Sequence, residues 1–328
     1  MYDTIHIFLP DAGVDPSIMS EVTSLQYIDS GQEYVNGYFK VMRISSSSRG
    51  VSIKGSLPKM LSGHNIDSIM PHELPQVLQT LSDGLHLDVS IGIVKRIDVA
   101  ATFSMDNPPS SYLPLLACHS RSKRVSYQDE SLTFLNRARS LSFYDKTKEL
   151  RSKRGHRSDP GMLRLQQSLS GLHLLRYEYQ FKKPSLFFER DVTAVELFDS
   201  ATYALLISEW KNGFESISKA STTVMSIPQA SNPKEFMDIL VAGAIQTSGG
   251  LHSVLEMVSQ SKLMSDMQKY RTKKRLKRIA ELTIESSTQN LLKELSDKII
   301  LAADSALSGD KVALLSNTCY SELTGTKL

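Results

Sequence analysis

The chain reads as an α+β protein. An N-terminal antiparallel sheet with flanking helices is expected over residues 1–190, and a helical region over 191–328. Two observations predict this division. Three segments share one design, with apolar side chains at alternate positions and polar ones between them, as a half-buried strand requires. After Pro184 the apolar spacing changes from alternation to the helical period.

In order along the chain, Thr4–Leu9 predicts a first strand ended by Pro10, and Tyr34–Ile44 a second. Val51–Lys54 resumes the alternation after a serine-rich turn over Ser45–Gly50. Pro71–Leu85 carries Leu74, Val77, Leu78 and Leu81 at helical spacing behind an initiating proline, which predicts a helix. Val94–Phe103 alternates cleanly: Ile97, Val99, Ala101 and Phe103 form one face, and Arg96, Asp98, Ala100 and Thr102 the other. Pro108 and Pro109 end it, and Tyr112–Leu116 is read as the start of a helix. Leu132–Leu135 is expected to pair as a hairpin with Ser140–Leu150, read as a single strand. On that strand Leu141 and Phe143 face one way, and Ser142, Tyr144 and Lys146 share a solvent-facing edge. Leu174–Lys182 puts Tyr177, Tyr179 and Phe181 opposite Arg176, Glu178, Gln180 and Lys182. Helices are then expected over Val192–Trp210, Pro233–Ile245, Leu251–Gln260, Ser265–Ser286 and Thr288–Ala306, with Gly249-Gly250 as a break and Ser308–Leu328 a polar end.

Composition sets the bounds. The 328 residues, 41% hydrophobic, suffice for two domains with a sizeable core. Cys118 and Cys319 form no zinc spacing or disulfide framework, so a reducing cytoplasm fits. The N-terminus has no basic segment followed by an apolar run, and no stretch reaches ~18 apolar residues, so neither a signal peptide nor a membrane span is expected. Net charge is only +3, but its distribution is uneven. Arg121–Arg157 holds eleven Lys/Arg against four Asp/Glu, and Lys269–Arg278 holds seven basic residues in ten. Such blocks suit a polyanion; a solvated helix end is the plainer explanation of the run Lys148–Arg157, whereas seven in ten over Lys269–Arg278 exceeds what one solvated helix face needs.

The polar strand faces carry the candidate chemistry. If the three strands are neighbours in one sheet, Asp98 and Glu178 converge with Tyr144 on one surface. A phenol beside a cation can serve as nucleophile toward a phosphodiester, and Lys146 is placed to stabilise phosphate charge or help deprotonate the phenol. Two carboxylates with an imidazole make an oxygen-rich site suited to Mg²⁺ or Mn²⁺. Solvated charge pairs Arg96–Asp98 and Arg176–Glu178 are the plainer alternative. Tyr112, Tyr127, Tyr177 and Tyr179 are rival nucleophiles, with Tyr127, in the basic region, the best of them.

Five motifs in this order resemble the filamentous-phage gene II/X family of replication initiators, the rolling-circle nickases of inoviruses and related plasmids. They are Met1-x-Asp3 with Leu9-Pro10; Lys54-Gly-Ser-Leu-Pro-Lys-Met-Leu-Ser-Gly63-His64-Asn65; Lys95-Arg96-Ile97-Asp98 through Ser104; Phe143-Tyr144-Asp145-Lys146-x-x-Glu149-Leu150; and Leu174-x-Arg176-Tyr177-Glu178-x-Gln180-x-Lys182. They cover residues 1–190, and Gln268–Arg278 is similar to the family's Tyr-Arg-rich helix. The resemblance implies an origin-specific nick with Tyr144 as nucleophile, a 5′-phosphotyrosine intermediate and a free 3′-OH, followed by rejoining. It implies Mg²⁺ or Mn²⁺ held by Asp98 and Glu178, with His64 as a third ligand. Candidate DNA contacts are Arg96 and Arg176 on the sheet and Lys269, Arg271, Lys273, Lys274 and Arg275 in a helix-turn-helix-like segment near 262–286. Origin DNA, single-stranded or supercoiled, and the host helicase and polymerase are the implied partners, in the bacterial cytoplasm. The His-hydrophobe-His pair of many rolling-circle initiators is absent from the sequence. A non-catalytic, sequence-specific DNA-binding initiator or regulator is the alternative; a structural phage protein fits the basic clusters poorly.

Overall fold

The computed structural model describes residues 1–12, 22–29, 33–152, 160–219, 232–247, 250–280 and 287–309. The expected break at Gly249 and most of the polar C-terminal end lie outside these residues. The strands are β1 (Tyr2–Pro10), β2 (Thr23–Asp29), β3 (Glu33–Phe39), β4 (Met42–Ser47), β5 (Gly50–Ser56), β6 (Ile93–Met105), β7 (Leu116–His119), β8 (Lys123–Tyr127), β9 (Ser131–Leu135), β10 (Arg139–Asp145), β11 (His173–Phe181) and β12 (Ile217–Lys219). The helices are α1 (Leu57–Ser62), α2 (Leu74–Leu85), α3 (Lys146–Ser152), α4 (Pro160–Ser168), α5 (Pro184–Phe188), α6 (Ser200–Glu215), α7 (Pro233–Thr247), α8 (Gly250–Gln260), α9 (Asp266–Ala280) and α10 (Ser287–Ser308). They fall into two compact units, one built from Met1–Leu113, Cys118–Ile217 and the chain from Asp297, the other from Pro114–Ala117 and Ser218–Ser296.

The first unit is organised on a ten-stranded sheet in the order β2-β3-β4-β5-β1-β6-β11-β10-β9-β8, antiparallel throughout. The three alternating segments are therefore neighbours: β6 pairs with β11, and β11 with β10. Their apolar faces pack under α6. Phe143 stacks on Tyr177 at 4.4 Å, Tyr177 stacks on Trp210 at 4.8 Å, and the Tyr177 hydroxyl donates to the Trp210 carbonyl at 2.8 Å. Gly213 of α6 lies so close to the sheet that a Cβ there would meet Tyr179 Cε2 at 2.5 Å. On the same side α2 packs over β3, with Gly84 against the Phe39 ring.

Among the described residues, the opposite face is covered at one end only. There Ile66, Leu150 of α3, Met162 of α4, Leu169 and Leu174 form a small apolar cluster. Its edge is where the polar strand faces meet.

Several elements differ from the sequence expectation. The serine-rich turn is confined to Ser48 and Arg49, because Ser45–Ser47 belong to β4 and Gly50 opens β5. Tyr34–Ile44 is two strands, because Lys40 takes a left-handed φ of 51° and turns the chain without a glycine or proline to announce it. Tyr112–Leu116 holds a single-turn 3₁₀ helix at Leu113–Leu115 leading into β7. Val192 is buried ahead of a 3₁₀ turn at Val195–Phe198, and α6 begins only at Ser200, where Asp199 accepts from the Thr202 N–H at 2.8 Å as an N-cap. Finally, β10 stops at Asp145. The Asp145 carboxylate accepts from the Lys148 N–H at 2.9 Å, so Lys146 opens a helix instead of continuing the strand.

Candidate active site

Antiparallel register sets the site. Ser142 faces Glu178 and Tyr144 faces Arg176 across β10 and β11; Arg176 faces Thr102, and Gln180 faces Asp98, across β11 and β6. Residues in register share a face, so Tyr144, Glu178 and Asp98 rise from the same side.

The half-buried Tyr144 hydroxyl donates to Glu178 Oε2 at 3.4 Å. The other Glu178 oxygen accepts from Gln180 Nε2 at 2.6 Å and lies 3.9 Å from the Arg96 guanidinium. Both oxygens of the fully buried Asp98 are taken by Arg96, Nε at 2.7 Å and Nη2 at 2.6 Å. Burial raises the Tyr144 phenol well above its ordinary value; Arg176 opposes the shift, and Glu178, Asp3 and Glu149 add to it. The resting side chain is a neutral phenol with a carboxylate as its acceptor. Asp98 is likewise raised well above the usual carboxylate range, by burial first and the neighbouring Glu178 charge, against Arg96.

Lys146 is not on a solvent-facing edge. It is fully buried, and its ammonium donates to Asn65 Oδ1 at 3.0 Å and Glu149 Oε2 at 2.9 Å. It stands 5.9 Å from the centre of the Tyr144 ring, as a cation toward the ring and not a strand neighbour of the hydroxyl.

Arg176 is also fully buried, which removes it from a DNA-contacting surface. Its guanidinium pairs with Asp3 at 2.9 Å and donates to the Asn65 and Ile66 carbonyls and to Thr102 Oγ1. Asp3, then Tyr144 and Glu178, hold its charge more firmly than burial weakens it. Arg176 ties β1, the loop after α1 and β6 to β11, the strand that pairs with β10. Arg176→Met is expected to lower unfolding stability by about 3–5 kcal/mol in urea titrations, because Asp3 is left buried and unpaired. Asp3→Asn in the same chain should return much of that loss.

His64 follows Gly63, whose φ of 77° ends α1. Its Nδ1 is buried without a hydrogen-bond partner among the described residues, and its pKa is lowered by burial and by Lys146, so the ring is neutral. Among the described residues no three His, Cys, Asp or Glu side chains form a group that could hold a metal ion. With Asp98 held bidentate by Arg96, the expected ligands Asp98, Glu178 and His64 are not such a group.

The rival tyrosines separate by position. Tyr112 is buried, Tyr177 and Tyr179 lie on the α6 side of the sheet, and Tyr127 is exposed on edge strand β8. Three participants escaped the sequence reading: Asp3, Asn65 and Glu149. Each stands inside one of the five motifs, Met1-x-Asp3, Gly63-His64-Asn65 and Lys146-x-x-Glu149, which was the available signal.

In the second unit α9 packs Leu276 and Ile279 against Ala242 and Ile245 of α7 and Val254 of α8. Its basic residues lie mostly outside this stripe. Arg275 and Arg278 pair with Asp238 of α7 at 3.0 and 3.7 Å, and Lys269 donates to the Ser259 carbonyl at 3.1 Å. Arg271 and Lys274 are exposed, and Lys273 is partly so. No helix among the described residues is long and apolar enough to cross a membrane.

No curated protein and no solved structure matches the chain. The family described as the N-terminal part of the replication-associated gene II protein matches residues 20–200, a span that contains β3–β6, β10 and β11 and with them Tyr144, Glu178, Asp98 and Arg176. That is more than half of the 328 residues, so the chain belongs to the filamentous-phage gene II family of replication initiators, whose members start rolling-circle synthesis.

Proposed function

We propose that the chain cuts one strand of its origin through Tyr144 and later rejoins it. The observation that carries this reading is the Tyr144 hydroxyl aimed at Glu178 Oε2 on the family's matched segment. The proton of Tyr144 passes to Glu178. The phenolate oxygen forms a bond to the scissile phosphorus, and the bond from phosphorus to the 3′ oxygen breaks. That oxygen takes a proton from water and leaves as the 3′-OH. One phosphodiester is exchanged for another, so no oxidant or nucleotide is consumed. A phenol, with an ordinary pKa of about 10, is a good enough leaving group for a strand's 3′-OH to reverse the step.

Because the phenol pKa is raised, its proton must pass to Glu178 as the nucleophile attacks. Once protonated, Glu178 no longer repels the phenolate. Arg96, a quarter exposed beside Glu178, offers the phosphate a cation, while Arg176 and Lys146 supply positive charge around the ring from below the surface. If Mg²⁺ or Mn²⁺ takes part, it needs Asp98 released from Arg96. Host helicase and polymerase would follow the nick, in the host cytoplasm. Incubation with supercoiled origin plasmid tests the reading, the expected product being open circles with protein on the 5′ end. A binding-only initiator would leave the plasmid intact.

A replication initiator acts on origin DNA, and α9 is the proposed duplex contact. Lys273→Ala with Lys274→Ala is expected to weaken duplex binding and lower the slope of log K against log salt by about 0.9 for each phosphate no longer neutralised. Cleavage of a single-stranded origin oligonucleotide should change little.

A further inference from the structure

The open face of the sheet carries a row of side chains of which the site above uses only Arg96. Register pairs Tyr38 of β3 with Arg43 of β4, Arg43 with Lys54 of β5, Lys54 with His6 of β1, and His6 with Arg96 of β6. Lys182 continues the row, since Phe181 before it faces Ile97. The row crosses the strands at right angles. At roughly 4.8 Å per strand it runs about 19 Å from Arg43 to Lys182.

Alternation fixes its side. Met42, Ile44, Ile53, Ile5, Ile7 and Ile97 are buried at the intervening positions, which leaves Arg43 and Lys54 exposed and His6 and Arg96 half-buried on the other face. The cations of the row act on the groups beside them. The His6 pKa is lowered by burial and then by Lys54, Arg96 and Lys95, and Lys182 is lowered by burial and Arg96, against Asp98. Asn36, Ser45 and Ser52, beside the row, bring no carboxylate to it. The row also leads somewhere. Arg96 lies 3.9 Å from Glu178, and Glu178 accepts from Tyr144 at 3.4 Å. At its far end Tyr38 is about half exposed (48%).

We propose that this row, Arg43–Lys54–His6–Arg96–Lys182, is a track for the phosphates of single-stranded DNA, with Tyr38 as a stacking platform for a base. A line of four cations one residue wide, with the neutral His6 imidazole among them and an aromatic ring at its end, matches how proteins hold a single strand without reading its sequence. A half-buried phenol at the other end admits a bared backbone more readily than a duplex. The strand's direction toward Tyr144 rests on the proposed nicking function; the binding itself does not.

The test uses the full chain carrying Tyr144→Phe and a fluorescent twelve-residue oligo-dT, followed by anisotropy across a salt series. Arg43→Ser and Lys54→Ser should each weaken binding about three- to tenfold, and the pair together should lower the salt slope by about 1.4, near 0.7 for each phosphate contact. A duplex of the same length should lose less than threefold. Thermal unfolding should be unchanged, since neither side chain is buried. Unaltered oligo-dT affinity and slope in the double variant would overturn the track. An equal loss on duplex would overturn its single-strand character. If no origin is ever cut while oligo-dT binding still depends on Arg43 and Lys54, the nicking function fails and the track stands.

Discussion

Tyr144→Phe is expected to form no covalent protein–DNA adduct on supercoiled origin plasmid, a loss of about 10⁴-fold or more in cleavage rate. The substitution removes one oxygen. The hydrogen bond that goes with it is long, 3.4 Å to Glu178, and its contribution to stability is under about 1 kcal/mol. The ring keeps its place over Lys146 and between its strand neighbours, so the protein stays folded and still binds single-stranded DNA. Loss of adduct with retained binding isolates the chemistry. Tyr127→Phe is the control: Tyr127 stands exposed on β8, and its removal should leave the adduct yield unchanged. Adduct formation by Tyr144→Phe at the wild-type rate contradicts the assignment.

Glu178→Gln is expected to slow single-turnover cleavage by about 10²–10⁴-fold, the usual contribution of a positioned base. Glutamine keeps the size and an acceptor oxygen but cannot take a proton. Removing the carboxylate also removes one charge that raises the Tyr144 pKa. Burial, the larger cause, remains, so the phenol stays mostly neutral through pH 9. The sign follows. Cleavage by the variant then depends on the small phenolate fraction, which grows about tenfold for each pH unit below the phenol pKa. Its rate should climb steadily from pH 6 to pH 9 and narrow the gap to wild type. A variant within threefold of wild type at pH 7 would show that Glu178 is not the acceptor.

Alternation in β6, β10 and β11 was legible because one face of each strand is buried under α6, and a buried face writes its period into the sequence. From those periods followed the shared surface of Tyr144, Glu178 and Asp98. The end of β10 was misread, although Asp145 carries a helix-start signal: a capping aspartate three residues before Lys148 competes with an apparently continuing strand, and the cap wins. Lys146 consequently moves from an exposed edge into the interior, where Asn65 and Glu149 neutralise it. The fate of Arg176 could not be read locally. Its partner Asp3 lies 173 positions away, and Asn65 reaches it only because Gly63 turns the chain after α1. Arg96 was legible as a partner of Asp98 two residues along its strand. The row it joins was not, because Arg43, Lys54 and His6 come from three separate strands whose register only the folded sheet fixes.

Covalent attachment of Tyr144 to DNA is tested most directly by trypsin digestion of the trapped protein–DNA complex, nuclease trimming and tandem mass spectrometry. The expected product is a nucleotide 5′-phosphate on the peptide Ser140–Lys146, localised to Tyr144. The same adduct on the peptide Val125–Arg137, at Tyr127, would contradict it.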